Sequence, residues 1–153
     1  MSEQNILDQV YRIVQSSNLI DVEYYELSAR SLNAMPPPEP RVEDDGKYDL
    51  NFGLKVAQDT EHETFIIRLR ADVHTSSGAC VVDLGAVYQL DESESLSDAL
   101  LVEFANNVGA MALLPYVRER VQTLTAHLKH PIILPTVQRG ELRFDLENSY
   151  SDQ

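Results

Sequence analysis

The chain has 153 residues, which fits one domain able to bury a sizeable core, and a second domain is not expected. Twelve basic side chains stand against twenty-five acidic ones, and the net charge of -13 repels phosphate backbones and anionic membrane surfaces, so nucleic-acid binding is disfavoured. The single Cys80 cannot form an internal disulfide, no run reads as long enough to span a bilayer, and the acidic start MSEQNILDQ lacks the basic-then-apolar order of a secretion signal, so a cytoplasmic protein is expected.

From Glu3 to Ser16, Ile6, Val10, Ile13 and Val14 recur with helical spacing, with Ser2 available as a cap. A first strand follows, in which Ile20, Val22 and Tyr24 alternate with Asp21, Glu23 and Tyr25 and the pattern runs on to Leu27 and Ala29. Asn33 to Gly46, NAMPPPEPRVEDDG, is too rich in proline and charge for regular structure and reads as a long crossover loop. The alternation of Tyr48, Leu50, Phe52, Leu54 and Val56 predicts a strand over 47–57. That of Phe65, Ile67, Leu69, Ala71 and Val73 predicts a third, and Cys80, Val82, Leu84, Ala86 and Tyr88 a fourth, with Val81, Gly85 and Val87 opposite, so both faces of the fourth read as covered. Short polar turns join these strands into an antiparallel meander within a sheet over 20–90.

The long helix is expected over 95–128. Ser95 and Asp98 have the spacing of a capping box, Pro115 marks a kink, and His130 and Pro131 end the helix. Leu114, Val117, Val121, Leu124 and Leu128 form one apolar face, while Arg118, Glu119, Arg120 and Gln122 form the other. Apolar residues on more than one flank call for a second copy of the helix, so Leu114, Val117, Val121 and Leu124 are expected at an oligomer interface and the assembly is expected to be a tetramer. The last segment, 143–153, reads as a flexible acidic tail of a single α+β domain over 1–153.

Residues with chemistry are few. His127 and His130 sit at a helix end with no third ligand near, so metal is not expected. Ser76, Ser77 and Gly78 fill a hairpin turn, the six glycines form no phosphate loop, Glu43, Asp44 and Asp45 read as a solvated loop, and Cys80 reads as a small hydrophobe. No cofactor and no catalytic residue is expected. Apolar matter in a loop is more telling: Met35 followed by Pro36, Pro37 and Pro38 lies in the crossover, beside a sheet carrying Tyr24, Tyr48, Leu50 and Phe52. If that loop arches over the sheet, a groove results; prolines that only stiffen the loop and aromatics that only fill the core explain the same residues equally well.

At Leu113 to Glu119 the run LLPYVRE resembles the signature of the SecB-type bacterial chaperones: Leu, an apolar residue, Pro-Tyr, a small residue, Arg-Glu. Pro131, Leu134 and Pro135, and Gly85 followed by an apolar and an aromatic residue, continue the likeness, which spans about Ile20 to Leu142. The resemblance implies a four-stranded antiparallel sheet with a crossover loop, one long helix, a second C-terminal helix and a dimer of dimers. It further implies that unfolded proteins are held without ATP in apolar grooves, which here would use Tyr24, Met35, Pro36, Pro37, Pro38, Tyr48, Leu50, Phe52 and Leu142.

Departures from the pattern separate the candidate roles. The N-terminal helix is longer than the family's usual start, and TVQRGEL stands where the family shows a Pro-Val-Asn-Phe pattern. Of the outer-face acids that dock the export motor SecA, Glu26 matches one, while Arg30 and Val81 stand where acids are expected. Divergent relatives also occur beside toxin–antitoxin pairs. The reading favoured is therefore a dedicated antitoxin chaperone, the second is a general export chaperone delivering precursors to SecA, and from another class a small enzyme or ligand-binding domain with a pocket under the crossover loop stands as the alternative.

Overall fold

The computed structural model describes residues 2–39, 42, 47–138 and 141–145. Helix α1 (Glu3–Ser16) starts at Ser2, whose hydroxyl accepts from the Asn5 N–H, and it buries only Val10 and Ile13. It runs straight into β1 (Ser17–Ser31). After the crossover come β2 (Tyr48–Asp59), β3 (Thr64–Thr75) and β4 (Gly78–Leu90), then one helical rod made of α2 (Asp98–Phe104), a π turn (Ala105–Gly109) and α3 (Ala110–His127). The sheet order is β1-β4-β3-β2 with every neighbouring pair antiparallel, so the crossover carries the chain from one edge of the sheet to the other. This is the expected α+β architecture.

The period of two places Phe65, Ile67, Leu69, Ala71 and Val73 of β3 on one face, all without exposed surface, and Val82, Leu84 and Ala86 of β4 beside them. The long helix lies on that face. Phe65 stacks on Tyr88 with centroids 5.0 Å apart, and Phe104 meets both rings edge-on at 5.1 and 5.0 Å. Gly109 lets the helix approach closely, since a Cβ there would stand 2.9 Å from Ile67 Cγ2. On the opposite face β4 buries Asp83 and Val87, so both of its faces are covered as expected.

Three expectations about the long helix need correction. Its cap is Ser97, whose Oγ accepts from the Leu100 N–H at 3.2 Å, and not Ser95. The reason is a clasp just upstream: the Gln58 amide receives the Leu96 N–H at 2.7 Å and donates to the Glu94 carbonyl, which holds 94–96 against the end of β2. The change in hydrogen bonding also comes earlier than Pro115, at the π turn, where the Ala110 N–H reaches back to the Ala105 carbonyl. Small residues at 105, 109 and 110 permit the close crossing there, and the helix continues through Pro115 to His127. Finally, the rod Asp98–His127 is long and apolar enough by length and composition to cross a bilayer, contrary to the sequence reading; more than half of that apolar stretch is buried in the fold itself, which accounts for its composition.

No second C-terminal helix occurs among the described residues. Acidic Glu43, Asp44 and Asp45, Pro40 and the tail from 146 onward lie outside them.

Candidate functional site: a recess beside strand β2

The end of α3 turns the chain back along the helix. Lys129 takes a left-handed conformation (φ 62°), and the Leu128, Lys129 and His130 N–H groups close on the carbonyls of Thr125 and Ala126. Buried Thr125 then fixes the return: its hydroxyl donates to the Val121 carbonyl at 2.7 Å and accepts from the Ile132 N–H at 2.9 Å. Beyond it Ile132 and Leu134 point inward while Ile133 is 69% exposed. The Arg118 guanidinium donates to the Pro135 carbonyl at 3.3 Å and ties the segment to the helix.

Between this segment, α3 and the edge strand β2 lies an apolar recess of about 40 Å³, lined by Leu50, Phe52, Leu114, Arg118, Leu134, Pro135 and Val137. The register explains the strand side. Leu50 pairs with Val73 and Phe52 with Ala71, so both stand on the helix-bearing face of the last strand in the sheet order.

Farther on, the C-terminal segment is clasped to the π turn. The Asn106 amide, 4% exposed, donates to the Phe144 carbonyl at 2.8 Å and accepts from its N–H at 2.7 Å, and Arg143 pairs with Glu103 at 2.7 Å. Phe144 is buried and Leu142 is half-buried against the core. Residues 143–145, the start of the expected tail over 143–153, are therefore held against the π turn, and the rest of that tail lies outside the described residues.

Of the expected groove residues, Leu50 and Phe52 come together and the rest do not. Tyr24 shares their face but lies on β1, at the opposite edge, beneath the guanidinium of Arg120 at 5.3 Å. Met35 is 89% exposed, Pro36 and Pro37 are exposed and Pro38 is half-buried; none of the four lines the recess. The described start of the crossover instead stays at the far end of the sheet, where the Leu32 N–H bonds to the Ser77 carbonyl and Arg30 donates to the Pro36 carbonyl. Tyr48 is half-buried against the core outside the recess, as is Leu142. The residues assigned to an oligomer interface are also placed differently: Val117 and Val121 have no exposed surface, Leu114 has 5%, and Leu124 is partly buried on the same core. The chain's own sheet satisfies the face that was expected to need a second copy. Arg118, Leu134, Pro135, Val137 and Asn106 were missed as site residues, although Leu114 and Arg118 are one helical turn apart and Leu134-Pro135 was already part of the family likeness.

The outer face of the sheet carries charge, but little of it is free. Asp83, 1% exposed, receives Arg68 through Nε and NH2 at 2.9 Å each and Arg70 at 3.3 Å. Arg70 also pairs with Asp72 at 3.1 Å and approaches Glu26 at 3.8 Å. Arg68 lies 4.1 Å from the ring centre of Tyr25, whose phenol is pushed up to about 12 by burial and by its hydrogen bond to Glu23. Glu26 thus belongs to a network in which two arginines are shared among three acids.

Chemistry of other kinds finds little footing. Burial, with Asp72 nearby, pushes the Cys80 thiol up to about 11 and keeps it a poor nucleophile. Among the described residues, Asp59, Glu61 and His62 are the one group with metal-ligand character; they are exposed at the β2–β3 hairpin, where Asp59 already accepts from the Glu61 and His62 N–H groups.

No family model matches the chain. The SecB-like chaperone SmegB of Mycolicibacterium smegmatis is 30% identical over 138 residues, covering 89% of this chain and 86% of that one. The chain belongs to the SecB-like chaperone family. Among solved structures, the Mycobacterium tuberculosis Rv1957 SecB-like chaperone in complex with a ChAD peptide from the Rv1956 HigA1 antitoxin superposes with a TM-score of 0.70 at 22% identity, covering 86% of this chain and 98% of that one. The SecB-like fold therefore extends over 86% of the chain. Two of its family positions, Leu114 and Arg118 in LLPYVRE, line the recess.

Proposed function

We propose that this SecB-like chaperone holds aggregation-prone polypeptide without ATP, as a cytoplasmic homotetramer and not as an enzyme, and that its client is an antitoxin. The observation that supports the client site is the apolar recess at β2, which among the described strands is an edge of the sheet, beside Leu50, Phe52 and Leu134. An unfolded chain offers spare backbone groups and apolar side chains, and such an edge can accept both. Several weak contacts spread over the subunits of an oligomer add through avidity.

The assembly is proposed through the other edge. β1 is a fifteen-residue edge strand with Leu19, Ile20, Tyr24, Tyr25 and Leu27 all at least 37% exposed, a surface suited to pairing with a second copy. Light scattering that gives a monomer mass at micromolar concentration would overturn it.

Two observations favour an antitoxin client over general export. A relative in fold was solved with an antitoxin peptide, and of the outer-face acids here Asp83 is buried and, with Asp72, held by Arg68 and Arg70, while a lone exposed pair through Glu26 would contribute only about 0–1 kcal/mol toward recruiting SecA. Low-salt calorimetry with SecA is expected to show no submicromolar binding; such binding would return the protein to export. For the site itself, Phe52→Ser should lower suppression of a model client's aggregation with the oligomer intact, and unchanged suppression would remove β2 from the site.

A further inference from the structure

Most arginines among the described residues face a carboxylate; Arg118 and the exposed Arg30 do not, and of these two only Arg118 lines the recess. Arg12 lies against Glu94, Arg68 and Arg70 against Asp83, Arg120 against Glu119 and Arg143 against Glu103. Arg118 has no carboxylate among the described residues. Its hydrogen bond runs to the Pro135 carbonyl, and its Nε is buried without a partner. The six other residues around it in the recess are apolar. A guanidinium with spare donors in such surroundings is costly until an acceptor arrives, and a carboxylate is the acceptor it holds best, through short charge-assisted and bidentate bonds.

We infer that the recess selects its segment: it takes an aliphatic side chain with a carboxylate close by in sequence, the apolar floor receiving the first and Arg118 the second. This rests on the client reading of the recess. Size favours an aliphatic anchor, because a recess of about 40 Å³ takes in the branched tip of such a side chain and is far short of the roughly 150 Å³ that encloses a benzene ring. Net charge does not oppose it at contact. The overall -13 repels an acidic segment at a distance, but physiological salt screens charges beyond about 8 Å, so the neighbouring guanidinium decides. Backbone carbonyls, which every unfolded chain presents, would give Arg118 a role with no such preference.

Two labelled, unstructured peptides decide between these, identical except for Glu or Gln two residues after a central Leu. Fluorescence anisotropy with the full chain at low salt should show the Glu peptide binding about tenfold tighter, equivalent to about 1.4 kcal/mol. Arg118→Gln should abolish that preference, so that this variant binds the two peptides alike whatever its absolute affinity, while Arg118→Lys, which keeps the charge, should retain part of it. Equal binding of the two peptides by the unaltered protein overturns the inference, and so does an equal loss of both in Arg118→Gln. If Phe52→Ser abolishes binding in those cases, the client reading stands and the selectivity alone falls. Binding of neither peptide, or binding that Phe52→Ser leaves untouched, overturns the client reading together with the inference.

Discussion

The two edges of the sheet differ in what covers them. At the β2 edge the chain supplies its own cover, with α3 and the segment from Ile132 to Val137 folded over Leu50 and Phe52 until only a small recess is left. At the β1 edge nearly every residue is exposed, apolar ones included, and the strand is longer. The lesson is that an edge covered down to a small recess suits a short-lived guest, while an exposed edge suits a permanent partner. A recess whose walls are held by Thr125 and Arg118 is preformed, whereas β1, even with its register shifts at 19–21 and 24–26, leaves apolar side chains open to a partner.

The largest expected effect separates the edges by energy. Leu114→Ala empties a buried position on the β2 side and should cost about 2–5 kcal/mol in denaturant unfolding. Its counterpart Leu27→Ala removes a side chain that is 41% exposed, so the folded subunit should lose no more than about 0.5 kcal/mol while its assembly weakens. Equal costs at the two positions would erase the distinction. Next comes Asn106→Ala, which leaves the Phe144 N–H and carbonyl without partners and should cost about 1–3 kcal/mol. Hydrogen exchange should then rise at Phe144 and leave β3 protected; no change there would mean that the clasp does not hold the segment.

A sharper use of the bare edge is Leu27→Glu, which places a charge on β1 beside Tyr24. Sedimentation should show a smaller species with unaltered circular dichroism, and an unchanged mass would move the interface elsewhere. The smallest effect concerns α1, which reaches the body of the protein through Arg12 and Glu94 at 2.8 Å. Its hydrogen bond to Arg12 holds the Glu94 carboxyl below the ordinary 4.5. A depressed carboxyl stabilises the fold above its unfolded value and ceases to do so as pH falls through its folded value. Arg12→Gln should therefore speed exchange over residues 3–16 at neutral pH, by a margin that shrinks as the pH falls through the folded value of Glu94; a margin that does not shrink in acid would show that the pair is not what ties α1 down.

Much of this was legible in the sequence, and the remainder was hidden for identifiable reasons. Period-two alternation gave β2, β3 and β4, because burial of one face leaves that mark on Phe52, Leu69 or Val82. Alternation says nothing about which strands are neighbours. Tyr24 and Phe52 were therefore placed together, although β4 and β3 separate them. The apolar flank of the long helix was real, but its spacing could not say whether a sheet or a second helix buries Val117. Asn106 looked like any polar residue in a helix; its role depends on Phe144, thirty-eight positions away. Arg118 fell on the polar face by spacing, and only the return of the chain after Thr125 brings it against Pro135.

The central claim is that client occupies the β2 edge. Hydrogen exchange on the intact chaperone with and without a saturating unfolded client tests it most directly. The account predicts new protection at 50–54 and 132–137 with little change in β1, and protection confined to the crossover around Met35 or to β1 would contradict it.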